Sequence, residues 1–515
     1  MRRRKLPICA RTVPRRSTLP RRCGGSKTGR LKPCVTVQNV SKKIKLKTKT
    51  HDVILAALKM TNLFLTTAAF FVCWWFYYGE RVIYAFTWKR TTGMVLVFFV
   101  INYLFTRVYD SLQISYTRVR SILFSQFLST GMSDFTIYAV LCVMSRRVVS
   151  PLPGLLCFAA QMILALLWAV VSNKLYFAIF EPAQTAIVHE YEENMDSLIR
   201  HYELERKFKV VKTIRTAECI DDPDSLDGID VIFLSNVGSH ERNTLFKRCI
   251  EKSIRVFVIP GTGDSIMSGA VYMPLFHLPM MRVDRYRPPF YFTATKRALD
   301  ILLSALLLIL FSPLMGVIAI IIHATDKGPV FYKQERLTKN GKKFMLIKFR
   351  SMIVNAEGDG VECLSVQDDD RITPIGRFIR RVRIDEIPQM INILKGEMSF
   401  IGPRPERPKI AAEYEKEMPE FRLRLQAKAG LTGLAQVYGK YNSTPYEKLQ
   451  FDLMYIAHPS LLQEVRIFFA TVKTVFTPES TEGVKKGQTT AMISESEPDR
   501  AEKAKNTDDE QRGSN

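Results

Sequence analysis

The uncharged run from Ile301 to Ile322, interrupted at Ser312-Pro313, constrains this chain more than any other feature. It is long enough to cross a bilayer as a straight helix, which takes about 20 apolar residues. Pro313 removes a backbone donor near the centre, and the Ser312 hydroxyl can satisfy a carbonyl so freed. Lys296 and Arg297 precede the run, while Lys333, Arg336 and Lys339 follow it. Basic residues near both ends favour keeping both on one side. The expectation is a helix-turn-helix wedge that enters and leaves one leaflet; a kinked fifth crossing is the alternative.

Four further apolar segments lie upstream, at about Val53 to Tyr78, Thr92 to Phe105, Ile122 to Met144 and Gly154 to Ser172. Four such segments in succession expose too much apolar surface for an ordinary soluble bundle, so residues 53–173 read as a four-helix transmembrane region. Trp74, Trp75, Tyr77 and Tyr78 suit an interfacial aromatic belt. An even number of crossings returns the chain to the side of its N-terminus. Loop charges support this weakly: Arg107, Arg118 and Arg120 favour the inside, but Arg81, Lys89, Arg90, Arg146 and Arg147 fall outside in the same scheme.

The formal charge of +24 is concentrated at the start, where residues 1–52 hold seventeen Lys/Arg against one acid, Asp52. Such charge can touch anionic lipid or nucleic acid; with no sustained periodicity the segment reads as a basic disordered, cytoplasmic tail that helps orient the first membrane helix, with phospholipid and no nucleic acid as the expected partner. Residues 479–515, ending in acids such as Asp508, Asp509 and Glu510, read as a second disordered tail. The nine cysteines are dispersed without a CxxC, and the seven histidines form no HExxH. A disulfide framework and a Cys- or His-ligated metal are therefore disfavoured.

Residues 174–290 alternate strand and helix patterns. Lys207 to Thr213, Asp230 to Leu234 and Ile254 to Ile259 read as strands, and Asn243 to Lys252 as a helix, compatible with an open parallel sheet. Residues 176–190 contain no glycine, and Gly261-Thr262-Gly263 follows a late strand. A structural or regulatory role is favoured over nucleotide binding, making this a degenerate Rossmann-like domain.

Features that carry chemistry gather after residue 323. Phe331 and its neighbours, the Asn340-Gly341 turn and Phe344 to Met352 read as a hairpin with Lys348 and Arg350 on one side, where two cations can hold a diphosphate. A solvated sheet edge would look the same. Thr373 and Pro374 start a helix carrying Arg377, Arg380, Arg381 and Arg383 around an apolar stripe. Asp385 is positioned to cap a following helix, Glu386 to Lys395, that Gly396 can end. Beside these cations the acidic pair offers two jobs: one carboxylate attacks phosphorus, the other holds a divalent cation, for which Mg2+ suits oxygen ligands. Arg404, fixed between Pro403 and Pro405, can present a guanidinium to phosphate. Gly430-Leu431-Thr432-Gly433 either approaches a nucleotide or shapes a tight connection. Tyr446 to Ile456 reads as a helix, with Asp452 a candidate polar contributor.

These motifs, KRALD at Lys296 to Asp300, the Ser312-Pro313 break, KFRSM at Lys348 to Met352, RIDEIPQMINILKGEMSFIGPRP at Arg383 to Pro405 and GLTGLAQV, closely resemble the bacterial sugar transferase domain of membrane polyprenyl-phosphate phosphoglycosyltransferases. The resemblance covers about residues 291–478, and the whole chain resembles the larger members that initiate exopolysaccharide, capsule or O-antigen assembly. It implies a membrane α/β protein: four transmembrane helices, a degenerate nucleotide-binding-like domain and a monotopic catalytic domain with a re-entrant helix. It further implies a multi-pass protein of the bacterial inner membrane with its site on the cytosolic face. By similarity, Asp385 is the nucleophile, Glu386 helps coordinate Mg2+, and Lys348, Arg380 and Arg404 handle phosphate. Arg383 stands where the family commonly has Ser, and Leu434 where it often has Trp.

The expected reaction transfers a hexose-1-phosphate from a UDP-hexose to undecaprenyl phosphate through an aspartyl-phosphosugar, releasing UMP. A non-catalytic scaffold of a polysaccharide assembly complex and a lipid-linked diphosphate hydrolase are the alternatives; a homo-oligomer is compatible with each.

Overall fold

The computed structural model describes residues 37–79, 88–190, 195–354, 371–439 and 443–475. Most of the expected basic tail and all of the acidic tail lie outside the described residues. The chain divides after Ala56. The described part of the first unit, residues 37–56, is helical, so the first helix begins well before the expected boundary at residue 53. The second unit carries the remainder.

Four helices, α1 (Val37–Cys73, continuing as a π-helical turn over Trp74–Tyr78), α2 (Trp88–Val108), α3 (Val119–Ser145) and α4 (Leu152–Ile179), contain stretches long and apolar enough to cross a membrane. From Ala57 onward they form a bundle in which Phe70, Trp74, Phe98, Ile137 and Leu141 pack together, with Phe70 stacked on Phe98 at 4.2 Å. Two of its buried polar groups bond across helices, where hydrocarbon offers no water: Asn102 Nδ2 donates to Thr66 Oγ1 (2.9 Å) and Trp168 Nε1 to the Leu58 carbonyl (2.8 Å). The expected aromatic belt is only partly outward. Trp74 and Tyr78 turn into the bundle, where the Tyr78 hydroxyl donates to Ser150 O and accepts from Gly154 N.

The next region is built on a parallel sheet of order β2-β1-β3-β4. Its elements are β1 (Ala183–His189), α5 (Met195–His201), β2 (Phe208–Arg215), α6 (Thr216–Asp221), β3 (Val231–Ser235), α7 (Ser239–Glu251), β4 (Arg255–Val258) and α8 (Thr262–Ser268). An antiparallel hairpin, β5 (Val271–Leu275) and β6 (Leu278–Arg282), follows. Sequence reasoning missed β1 and this hairpin. Ala186 and Val188 pack on one face of β1 while Ile187 packs on the other, a two-sided burial without the alternation that marks a half-exposed strand.

Helix α9 (Phe290–Asp326) replaces the expected helix-turn-helix with one helix that keeps Pro313 inside it. The repair works as the sequence suggested: Pro313 cannot bond the Ile309 carbonyl, and Ser312 Oγ donates to that carbonyl at 2.8 Å. Both halves of α9 pack on the same region. Leu303, Leu307 and Leu308 join the core around Phe344, Ile393 and Phe400, while Ile318 and Ile322 bury against Phe349 and Ile379. Its other faces stay apolar and uncovered, with Ile309 74% and Ile320 70% exposed.

The remaining elements are β7 (Phe331–Leu337), β8 (Lys343–Phe349), α10 (Pro374–Arg381), α11 (Gln389–Lys395), β9 (Ser399–Ile401), α12 (Pro408–Glu417), β10 (Gly430–Thr432), α13 (Leu434–Tyr438), α14 (Pro445–Ala457) and α15 (Leu461–Val475). Strands β7 and β8 pair antiparallel, and Asn340 and Gly341 take the positive φ values (60° and 73°) that a tight hairpin turn needs. This region and the parallel sheet both meet the bundle at its α2–α3 end, through Arg466–Asp110 (2.6 Å), Lys473 Nζ to Ser125 Oγ (2.7 Å) and Lys207 Nζ to Ser115 Oγ (2.7 Å).

Candidate active site

The KRALD segment fastens α9 to the region that carries the acidic pair. Arg297 donates to the carbonyls of Ile393 (2.6 Å) and Leu394 (2.7 Å), capping the end of α11, where Gly396 takes φ 85°. Asp300 accepts from Ser399 Oγ (2.8 Å) and Phe400 N (3.0 Å), and Lys296 donates to Ile401 O (2.9 Å) and pairs with Glu464. Asn392, fully buried, crosses from α11 to β8: Nδ2 donates to Met345 O (2.8 Å) and Oδ1 accepts from Ile347 N (3.0 Å). Its position in a helical apolar run gave the sequence reading no sign of this role.

Helix α10 starts as expected, with Thr373 Oγ1 accepting from Gly376 N (3.0 Å) and Pro374 in the first turn. Glycine is required at 376, because a Cβ there would stand 1.9 Å from the Ser351 carbonyl oxygen. Arg383, at φ 56°, turns the chain into a short 3-10 segment, Ile384–Glu386. Ile384 packs with the second half of α9, which leaves Asp385 next to that helix and buried. Asp385 does not cap the following helix: α11 starts at Gln389 behind Pro388 without a side-chain cap.

Around this turn the charges converge. Arg404 Nη2 lies 3.3 Å from Glu386 Oε1, and Arg383 Nη1 lies 3.9 Å from Glu386 Oε2. Burial alone would raise Glu386, but Arg404, Arg383 and Lys348 outweigh it and hold its carboxyl below the usual range. For Asp385 the balance reverses. Burial and then the neighbouring Glu386 charge push it up to about 7, against the pull of Lys348, Arg380 and Arg404. Burial lowers Lys348 to about 8, partly offset by Asp385. Its ammonium sits 5.2 Å from the centre of the Tyr332 ring.

The turn that presents Arg404 is held from behind by groups the sequence reading passed over or left undecided. Arg424, 3% exposed, donates to the Arg404 carbonyl (2.9 Å) while pairing with Asp452 (2.8 Å) and Glu406 (3.6 Å). Arg336 Nη1 donates to Pro405 O (2.9 Å). Asp452, pushed by burial to about 6 despite Arg424, belongs to this support. The glycine-rich segment makes a tight connection: a Cβ on Gly430 would stand 2.2 Å from Gly402 N, and one on Gly433 2.2 Å from Gly402 O.

Asp385, Glu386, Lys348, Arg380 and Arg404 thus form one electrostatic group. Arg350 is placed differently: it is buried, with its guanidinium against Gly328 at the exit of α9. Ser312 and Pro313 lie in mid-α9. Among the described residues no three His, Cys, Asp or Glu side chains gather as a metal cage. Two adjacent carboxylates, one held ionised, form an oxygen-only donor set that suits a hard cation completing its shell with ligand oxygens.

Comparison with known proteins points the same way. Residues 291–478 match the bacterial sugar transferase family. The chain is 36% identical over 234 residues to a UDP-N-acetylgalactosamine-undecaprenyl-phosphate N-acetylgalactosaminephosphotransferase of Aeromonas hydrophila, covering 45% of this chain and 54% of that protein. It is 37% identical over 211 residues to the UDP-glucose:undecaprenyl-phosphate glucose-1-phosphate transferase of Escherichia coli (strain K12), covering 40% and 44%. It is also 37% identical over 190 residues to a protein of that same description from Caulobacter vibrioides, covering 36% of this chain and 71% of the relative. The matches to the first two span about half of each relative's length. Given the match at 291–478 and the extent of the Caulobacter relative it covers, the chain belongs to the bacterial sugar transferase family.

Proposed function

We propose that this chain is a membrane enzyme that transfers a hexose-1-phosphate from a UDP-hexose to undecaprenyl phosphate, the opening step of exopolysaccharide synthesis. The names of the relatives supply the substrate class. The observation that carries the reading in this chain is Asp385, buried among Lys348, Arg380 and Arg404 on a turn packed against the apolar helix α9.

In the first step a carboxylate oxygen of Asp385 attacks the sugar-bearing phosphorus, the bond from that phosphorus to the bridging oxygen breaks, and UMP leaves with the electron pair. In the second, an oxygen of undecaprenyl phosphate attacks the same phosphorus and the carboxylate departs, leaving a lipid-linked diphosphosugar. Covalent catalysis divides the exchange into two phosphoryl transfers. Lys348, Arg380 and Arg404 offset the negative charge of the diphosphate and of the departing UMP. Glu386 would hold Mg2+, exchanging part of its contact with Arg404 for the ion, which when bound neutralises diphosphate oxygens.

The packing of both halves of α9 on one region, with Pro313 between them as the point where a helix bends, supports a helix that enters one leaflet and turns back at the proline, because a crossing helix would carry its ends to opposite faces. This keeps the site at the lipid surface, where the polyprenyl tail can stay in hydrocarbon while its phosphate reacts. Docking at the α2–α3 end supports a cytosolic site in a four-pass inner-membrane protein.

Purified protein in nanodiscs, given undecaprenyl phosphate and a panel of UDP-sugars, should release UMP with at least one donor and form lipid-linked sugar. Asp385→Asn should abolish both while remaining folded. Free sugar phosphate in place of the lipid product would indicate a hydrolase, and no turnover with any donor would reject the proposal.

A further inference from the structure

Two cysteines far apart in sequence meet at one end of the membrane bundle. Cys73 is the last residue of α1 before its π-helical turn, and Cys157 lies in the second turn of α4. Both are free thiols, and they interact side chain to side chain. Cys157 belongs to the buried cluster that includes Phe70 and Trp74, and Cys73 packs against that cluster. No short spacing marks them as a pair in the sequence; the packing of α1 beside α4 makes them one.

The helix ends that carry them are pinned together. Cys73 Sγ donates to the Pro153 carbonyl in the first turn of α4 (3.5 Å). Tyr78, at the end of the π-helical turn, donates to Ser150 O (3.2 Å) and accepts from Gly154 N (3.0 Å). A Cβ on Gly154 would stand only 3.2 Å from the Tyr78 hydroxyl oxygen. A disulfide tolerates only about 4.4–6.8 Å between its Cα atoms, so it needs partners that packing already holds together, as these are.

The compartment decides whether the bond forms. The transferase region docks at the α2–α3 end of the bundle, and Cys73 and Cys157 lie at the opposite end, where α1 finishes and α4 starts. With the docking end cytosolic, the thiol pair faces the extracytoplasmic side, where disulfides form and persist. Cys219 and Cys249, fully buried in one cluster of the parallel-sheet region, fall on the reducing side.

We propose that Cys73 and Cys157 are a disulfide site that clips α1 to α4 on the extracytoplasmic side, an inference that rests on the four-pass orientation given above. The oxidant is an extracytoplasmic protein disulfide. The thiolate of Cys73, the less buried of the two, attacks one oxidant sulfur and expels the other as a thiolate. The Cys157 thiolate then attacks Cys73 Sγ and expels the remaining oxidant sulfur. One S–S bond forms in this chain and one breaks in the oxidant, which leaves as a dithiol with both electrons and both protons.

The test uses intact cells expressing the full chain, quenched in acid. Free thiols are blocked with N-ethylmaleimide under denaturing conditions, and peptides are mapped by mass without reductant. The peptides of Cys73 and Cys157 should be joined, unblocked and separable by dithiothreitol, while Cys219 and Cys249 should both be blocked. In Cys73→Ser, Cys157 should become blocked. Ser150→Cys in a cysteine-free background, treated with an impermeant maleimide, reads the orientation separately. If Ser150→Cys is labelled from outside and wild-type Cys73 and Cys157 are blocked, the disulfide is overturned and the four-pass orientation stands. If it is labelled only from the cytosolic side, the orientation falls and the inference with it. Cys219 joined to Cys249 in the same sample would mark the bonds as products of handling and would overturn the proposal as well.

Discussion

The dependence of turnover on pH follows from the opposed shifts of Asp385 and Lys348. Asp385 must be ionised to attack phosphorus, and burial beside Glu386 brings it to about 7. Lys348 must stay charged to hold phosphate, and burial brings it down to about 8. The rate constant kcat/KM for the UDP-sugar should therefore climb with pH up to about 7, cross a narrow maximum, and fall above about 8. Below the maximum the slope is about tenfold per pH unit, so the rate at pH 5 should be roughly a hundredth of its limiting value. The two limbs belong to the coupled cluster, so a substitution in one partner moves the other. Lys348→Met removes both the alkaline limb and a cation that favours ionised Asp385, so the acid limb should shift to higher pH as the maximum drops. Chromatographic measurement of UMP from pH 5 to 9 provides the profile. An acid limb near the ordinary Asp value of about 4, or an alkaline fall that survives in Lys348→Met, would refute the reasoning.

Three further outcomes test the scaffold of the site. Arg424→Met leaves Asp452 and Glu406 without their buried cation, and breaking such a pair costs about 3–5 kcal/mol, so thermal unfolding should move sharply down. Residual folded protein should also have a raised KM for the UDP-sugar, since the turn bearing Arg404 loses its support; unchanged stability and KM would remove Arg424 from this role. Gly376→Ala puts a methyl group 1.9 Å from the Ser351 carbonyl, and should lower both the yield of folded protein and its activity; wild-type behaviour in both would contradict the close approach. In a cysteine-free background, single cysteines at Tyr291 and Lys327 should react with an impermeant maleimide from the same side of the membrane. Labelling from opposite sides would make α9 a crossing helix.

Local signals were legible where one turn of chain decides the structure. The Thr373 cap, the Gly396 terminus, the Asn340-Gly341 turn and the Ser312 repair of the Ile309 carbonyl all follow from adjacent residues. The long apolar segments announced the membrane helices for the same reason. What sequence reasoning missed depends on partners far along the chain. Arg424 and Asp452 are recognisable as a buried pair only once α14 lies against the segment before β10, and Asn392 only once α11 lies on β8. Asp385 reads locally as a helix cap, because an acid before a helix usually is one; its burial comes from the packing of Ile384 on α9. Arg350 shares a strand face with Lys348 on paper, yet the end of β8 directs it toward Gly328.

A carboxylate that briefly carries sugar phosphate is the claim on which the rest depends. Incubating the protein with an accepted UDP-sugar but no lipid acceptor, quenching in acid and mapping peptides by mass should reveal a phosphosugar on the peptide containing Asp385, with UMP released in equal amount. UMP release only when undecaprenyl phosphate is present, with no adduct on that peptide, would point to direct transfer between substrates and contradict the account.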